Sequence, residues 1–424
     1  MSAHWDHRMQ IDKTLRMRNH VAQSDRSRRR IQARPAAVAL LLGITQLSAC
    51  ASILGIDDLH QAQGDASVAD GASADSGVDA ASTDGSPKDA AEPTHPGSFA
   101  LEPHALHIPR DQLAAVLVGD RLYVLGGITC QSCAGSPDVN GTTASVEVAS
   151  VSSSGIDAFA DAPRMINARA DFAAFRVSRG SGDWLYAVGG LNRPTGQTVG
   201  NYITEIERAP IAADNTIGSF SVVAGITLDT GRAGAGLVVT PDAVYLIGGR
   251  VGQNSYSTLV SKAQIDANGN LSSFQPDANA GAAQAPRWRA ASVQSANGVY
   301  MLGGEAAAAT TTIDAGALTG SVLTGLVQVT VSLATPRSGA AALPLGGRIW
   351  VFGGGAPGAG AYSTIESAPL ASSLGAFAPE SLSLDTARSL AAGVRLPTEY
   401  CLIGGSANHS DTSILDTVSC APLL

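Results

Sequence analysis

Short apolar runs closed by a Gly-Gly pair recur six times along the chain. They are Leu122 to Leu125 before Gly126-Gly127, Leu185 to Val188 before Gly189-Gly190, and Val244 to Ile247 before Gly248-Gly249. Val299 to Leu302 before Gly303-Gly304, Ile349 to Phe352 before Gly353-Gly354, and Tyr400 to Ile403 before Gly404-Gly405 complete the set. Runs this short, rich in β-branched and aromatic residues and punctuated by glycine, read as strands. An Arg precedes each pair: Arg110, Arg232, Arg287, Arg337 and Arg388 stand 16 residues before the first Gly, and Arg169 stands 20 before it, displaced by an insertion at Gly180–Gly182. The intervening length fits two strands and a tight hairpin, with Gly119-Asp120, Asn297-Gly298 and Gly346-Gly347 suited to the positive φ of such turns. A third strand follows, ending Ala-x-aliphatic, as in Ala209-Pro210-Ile211 and Ala368-Pro369-Leu370. A fourth begins near Phe159, Phe220, Phe274 or Phe377, with Leu326 in the fourth unit. The last unit has only three strands. Gly97-Ser98-Phe99 lies 13 residues before Arg110, as Gly375-Ala376-Phe377 lies 13 before Arg388. The first strand is therefore expected to complete the last unit and cover its edge.

Successive Gly-Gly pairs are 63, 59, 55, 50 and 51 residues apart. A period near 50 with four short strands per unit resembles the kelch repeat. The resemblance spans residues 97–424 and implies an all-β, six-bladed kelch-type β-propeller with its N-terminal strand completing the last blade. The chain departs from the kelch pattern in carrying Phe or Leu where the last strand usually has Trp.

The N-terminus reads as an address. A cationic cluster at Arg26 and Arg28–Arg30 precedes an apolar run from Ala36 to Ile44 and then Leu47-Ser48-Ala49-Cys50. Basic, apolar and small-residue segments in that order form a secretory signal, too short to span a membrane in comfort. Leu-Ser-Ala-Cys resembles the bacterial lipobox, which implies lipidation of Cys50. Ala51 in place of Asp resembles the pattern for release to the outer membrane. Residues 1–49 are thus expected to be a lipoprotein-type signal peptide. Residues 50–96, rich in Ala, Asp, Ser and Gly, are expected to form a disordered acidic tether, too apolar-poor to offset the entropy of ordering. The membrane is then reached through lipid alone.

Charge sharpens this division. Residues 1–49 hold nine Lys+Arg against three Asp+Glu, residues 50–96 one against nine, and residues 97–424 17 against 24. The repeating part is mildly acidic without a basic stripe, which argues against nucleic acid as partner. Cys401 replaces the aromatic found three residues before the first Gly elsewhere, and Cys420 lies on the next strand, so a disulfide is expected between them in an oxidising compartment. Cys130-x-x-Cys133 is expected to close a loop disulfide, since no second pair or nearby His completes a metal set.

The repeating part has only His104, His107 and His409, and no nucleophile elbow, phosphate loop or zinc-protease motif. No metal or cofactor is expected. Asp266 to Asn270 reads as an Asn-Gly hairpin rather than a calcium loop. The six repeated Arg residues are expected to be scaffold, since repeats share what stacking requires, though a ring of anion-binding cations is the alternative. Ligand contacts are expected at positions that differ between units, on the face carrying the loops after Gly-Gly and before the Arg. The candidates are Asn192, Arg193, Arg250, Tyr256, Trp288, Arg289, Glu305 and His409, with Trp288 as an exposed anchor. The expected function is a non-enzymatic, monomeric binding module recognising protein or glycan. A periplasmic sugar- or anion-processing enzyme and an envelope structural or assembly subunit are the alternatives.

Overall fold

The computed structural model describes residues 92–129, 141–195, 197, 199–296 and 298–424. The expectations for the leader, most of the tether, Cys50, Cys130, Cys133 and Asn297 lie outside the described residues.

Among the described residues the fold is all-β, with six principal antiparallel sheets. Sheet one comprises Ala114–Val118, Arg121–Leu125, Val146–Ser152 and, pairing with that third strand, Gly155–Ile156 and Ala160–Ala162. Sheets two to five each follow the order first, second, third, fourth strand: from Ala173–Arg179 to Ser221–Thr227, Gly236–Val239 to Gln275–Pro276, Ala291–Gln294 to Val322–Gln328, and Ala341–Leu345 to Ala378–Ser383. Sheet six takes Ala392–Arg395, Glu399–Ile403 and Val418–Pro422 from the end of the chain and Ala100–Leu101 from its beginning. Ala100 pairs with Cys420 and Leu101 with Ser419, as the spacing of Phe99 and Phe377 anticipates. The clasp reaches further back than residue 97: the Thr94 N–H donates to the Leu424 carbonyl at 2.5 Å and Pro96 bridges Leu423.

The second strands are nearly continuous apolar runs because both faces are covered. Six apolar clusters fill the spaces between successive sheets. Leu185 and Phe220 of sheet two meet Tyr123 and Val146 of sheet one, and Phe352 of sheet five meets Tyr400 and Phe99 of sheet six. Leu122 and Val124 of sheet one in turn meet Val394, Cys401 and Val418 of sheet six. Each well-buried Leu, Val or Phe contributes roughly 1.5–3 kcal/mol. Cys401 and Cys420 face each other in register and form a disulfide.

The repeated Arg joins neighbouring sheets. Its Nη1 donates to the carbonyl of the first Gly of its own sheet, at 2.6 to 3.3 Å in all six cases. Its own carbonyl accepts from the second Gly of the preceding sheet at 2.8 to 3.0 Å, Gly405 closing onto Arg110. The pair must be glycine: φ is positive at both positions, and a Cβ at Gly303 would stand 2.3 Å from the Arg337 carbonyl oxygen. All six guanidiniums are buried. In sheets one, two, four and five a third-strand carboxylate meets the Arg: Glu147, Glu207, Asp314 and Glu366, at 2.5 to 2.6 Å. Sheets three and six have Ser261 and Ser419 there. The acid instead comes from Asp229 or Asp385, three residues before the Arg, and each Ser hydroxyl donates to that Asp.

Two residues after each Arg the backbone is left-handed: φ is 54° at Gln112, 51° at Asp171, 60° at Gly234, 55° at Arg289, 57° at Gly339 and 58° at Leu390. Each of these six donates its N–H to the carbonyl of the one before, at 2.7 to 2.9 Å, and Gln112 donates to Leu390. The six hydrogen bonds form a closed circuit. Because strands alternate in direction, the Arg segments and the loops after Gly-Gly share one end of the sheets. The tight hairpins, Thr94 and Leu424 share the other.

Candidate functional site

The loop end carries the polar residues that the repeats do not share. The six repeated Arg residues take no part in it, since their guanidiniums are spent on backbone carbonyls and acids inside the scaffold. At the circuit, Gly234 and Gly339 take up the left-handed backbone at no steric cost. Gln112, Asp171 and Arg289 adopt the same φ with a Cβ, which costs of order 1 kcal/mol each. Leu390 bears the same cost with an apolar side chain; the other three place polar groups at the circuit, and it is their contacts that mark the site.

Two linked groups surround the circuit. In the first, Arg289 lies between two acids: its Nη2 is 2.8 Å from Asp171 Oδ2 and its Nη1 is 3.5 Å from Glu305 Oε1. Glu305 continues to His409 Nε2 at 3.6 Å, and Nε2 also lies 3.1 Å from Ser338 Oγ. In the second, Asp411 receives Arg193 Nη2 at 2.5 Å on one oxygen and Gln112 Nε2 at 3.0 Å on the other. Gln112 Nε2 also reaches Asp111 Oδ1 at 3.2 Å. These contacts bring together residues from all the units but the third, and that unit supplies Arg250 beside them.

Trp288 is buried, at 8% exposure, and so is not the exposed anchor expected from its place in the sequence. Two guanidiniums pack against its ring, Arg289 at 3.8 Å and Arg250 at 4.7 Å from the ring centre. Arg250 is further held by the Gly252 and Gln253 carbonyls. Asn192 accepts from Thr142 Oγ1 at 3.2 Å, and Tyr256 donates to the Ala306 carbonyl at 3.0 Å. Both tie the loop of one sheet to that of a neighbour.

A cavity of about 220 Å³ opens at this end. Arg193, Arg250 and Arg289 line it, with Gln112, Tyr202, Trp288 and a single carboxylate, Asp411, among the described residues. A smaller space of about 140 Å³ lies along the circuit, where the next residues inward are Leu113, Phe172, Ala235, Ala290, Ala340 and Ala391. The mouth is cationic and polar, and the smaller space shares Gln112 and Arg289 with it and adds Asp171.

The charges are tuned by burial. Asp111, fully buried, is pushed well above the usual carboxylate range by desolvation, with Asp411 adding to the effect and Arg289 opposing it. Burial also raises Asp171, against the pull of Arg289. Glu305 moves the other way: burial would raise it, but the neighbouring His409 imidazole and the charge of Arg289 hold it low. Desolvation works against the charge on Arg289, and Asp171 and Glu305 outweigh it.

Ser338, His409 and Glu305 invite a hydrolytic reading that their geometry does not support. A relay needs the acid on one imidazole nitrogen and the hydroxyl on the other. Here Ser338 and Glu305 face the same Nε2, and Nδ1 has no hydrogen-bond partner. Among the described residues the one grouping with metal-ligand spacing is Glu399, Cys401 and Cys420, and its sulfurs are joined in the disulfide. The Asp266 carboxylate accepts from the N–H groups of Asn268 and Asn270, as a hairpin turn requires.

The candidates read from the sequence thus divide. Arg193, Arg250, Trp288 and Arg289 line the mouth, Glu305 stands beside Arg289 with His409 next to it, and Asn192 and Tyr256 tie neighbouring loops together. Asp111, Gln112, Asp171 and Asp411 belong to the same site and were missed. Three of them sit one or two places after the repeated Arg, where other units have Ala233-Gly234 or Ser338-Gly339. Aligning the units on that Arg would have exposed them. Compared with models of known families and with curated proteins, the sequence finds no match, so the chain's role has to be read from the mouth itself.

Proposed function

We propose that residues 97–424 form a six-bladed β-propeller of kelch type whose loop-end mouth binds an anionic group of a protein or glycan ligand without chemical turnover. The observation that carries this reading is the convergence of Arg193, Arg250 and Arg289, from three different sheets, on one cavity of about 220 Å³. Acids stand behind Arg289, whereas Arg250 is held by carbonyls and an aromatic face, which leaves its charge for a ligand. Six sheets, six inter-sheet clusters and a closed six-membered hydrogen-bond circuit support the propeller. The signal-like leader and Cys50 support display at the cell envelope, as an outer-membrane lipoprotein.

The test uses the full chain on arrays of acidic peptides and of uronate- or sulfate-bearing glycans. Arg250→Gln should weaken retention of the anionic ligands roughly tenfold or more. Arg348→Gln, on a second strand away from the mouth, should leave it unchanged. Equal retention by both variants, or none by the unaltered protein, would overturn the reading. Cys50→Ser should move the protein from the membrane to the soluble fraction, and an unchanged distribution would rule out the lipid anchor.

A further inference from the structure

Asp411 is the acid that does not fit a purely cationic mouth. It stands on the loop between Gly405 and the last strand and reaches across to two other units. Its carboxylate is shared between Arg193 Nη2, at 2.5 Å, and Gln112 Nε2, at 3.0 Å, one oxygen each. Among the described residues it is the single carboxylate lining a cavity whose other charged groups are Arg193, Arg250 and Arg289. Its side chain keeps 28% of its exposure, so it lies at the solvent edge of the cavity rather than in the core. The partner Gln112 keeps its amide there on a left-handed backbone, where Gly234 and Gly339 show that no side chain is needed to close the circuit.

A planar two-oxygen anion held by a guanidinium on one oxygen and an amide N–H on the other is how proteins grip a carboxylate. The mouth therefore already contains such a grip, filled from within. Resting on the reading of the mouth as an anion site, we propose that the ligand group it receives is a carboxylate, and that Asp411 is the internal carboxylate which that group displaces. Asp411 then sets both affinity and specificity. Any entering carboxylate must outcompete a tethered one, and an anion of different shape meets donors spaced for two coplanar oxygens.

Calorimetric titration of the full chain at fixed ionic strength tests this, with acetate, succinate and glucuronate set against phosphate and sulfate. Fixed ionic strength matters because screening alone alters such affinities. Asp411→Asn should tighten carboxylate binding roughly tenfold or more, since the competing charge is gone while the side-chain shape remains. Adding Arg193→Gln should abolish that gain. Asp411→Ala serves as the second variant, and thermal melts establish that each is folded. Unchanged or weaker carboxylate binding by both folded Asp411 variants would overturn the role of Asp411 while leaving the anion site standing. Tighter binding of phosphate or sulfate than of any carboxylate would overturn the ligand class. If neither the unaltered protein nor the variants bind any of the five anions, the anion site itself falls, and the proposal with it.

Discussion

Gly303 and Gly320 separate two costs that a glycine can hide. Both have positive φ, 61° and 56°. A Cβ at Gly303 would meet the Arg337 carbonyl oxygen at 2.3 Å, whereas at Gly320 nothing lies within 4 Å. Gly320→Ala should cost about 1 kcal/mol, from backbone strain alone. Gly303→Ala should cost at least about twice that, because the backbone of the next unit has to move. Urea denaturation of the two variants gives the comparison, and equal losses would remove the close-approach account. The Gly-Gly pairs were plain in the sequence, but the carbonyl they meet belongs to an Arg one unit further on and is not a neighbour in the chain. Asp111 carries the residue-scale pH prediction. Its folded-state pKa is raised, so the folded protein holds a proton that the unfolded chain releases. That contribution is complete below the ordinary Asp pKa and is lost as pH rises through the folded value. Asp111→Asn should therefore raise the melting temperature more at pH 8 than at pH 4.5. A uniform shift at both would contradict a buried proton.

At the scale of the element, the partner of the repeated Arg has two solutions. A third-strand acid receives the guanidinium in four sheets, and the backbone N–H three residues before the Arg donates to that acid: His107, Ile166, Gln284 and Ala334. In the other two sheets the acid has moved to that very position, as Asp229 and Asp385, and the strand keeps a Ser. The exchange is legible in the sequence once the units are aligned, yet reading each strand for its apolar pattern alone passes over it, because one buried acid among aliphatic residues looks like an exception. The two solutions should be interchangeable. Glu366→Ser alone leaves Arg337 without its acid and should cost about 3–5 kcal/mol. Adding Ala334→Asp should restore more than half of that loss. Chemical denaturation of the single and double variants reads the coupling, and simple additivity would show the two positions to be independent.

At the scale of the whole molecule, the joining of the chain's ends is the feature the spacing revealed most directly. The interval from Gly97 to Arg110 repeats that from Gly375 to Arg388, and the structure pairs Ala100 with Cys420 accordingly. What the spacing could not give was the mouth, since its residues come from five sheets and meet only after closure. Because Thr94 and Leu424 are hydrogen-bonded to each other, the ends can be linked without strain. A circular permutant joining Leu424 to Glu92, with new ends between Thr319 and Val322, should fold with a melting temperature within a few degrees of the original. Failure of that permutant to fold would show that the order of synthesis, and not the closed arrangement alone, is needed.

The clasp also decides how the molecule answers mechanical load. A pull on the chain at Glu92 arrives at the seam, which includes a two-residue strand held by backbone hydrogen bonds. One strand further in, the sulfur bridge between Cys401 and Cys420 fastens the neighbouring pair covalently. Tugging from the N-terminus should thus peel away a short end first, leave the bridged C-terminal strands joined, and then load Asp111 and Gln112, which follow that strand in the chain.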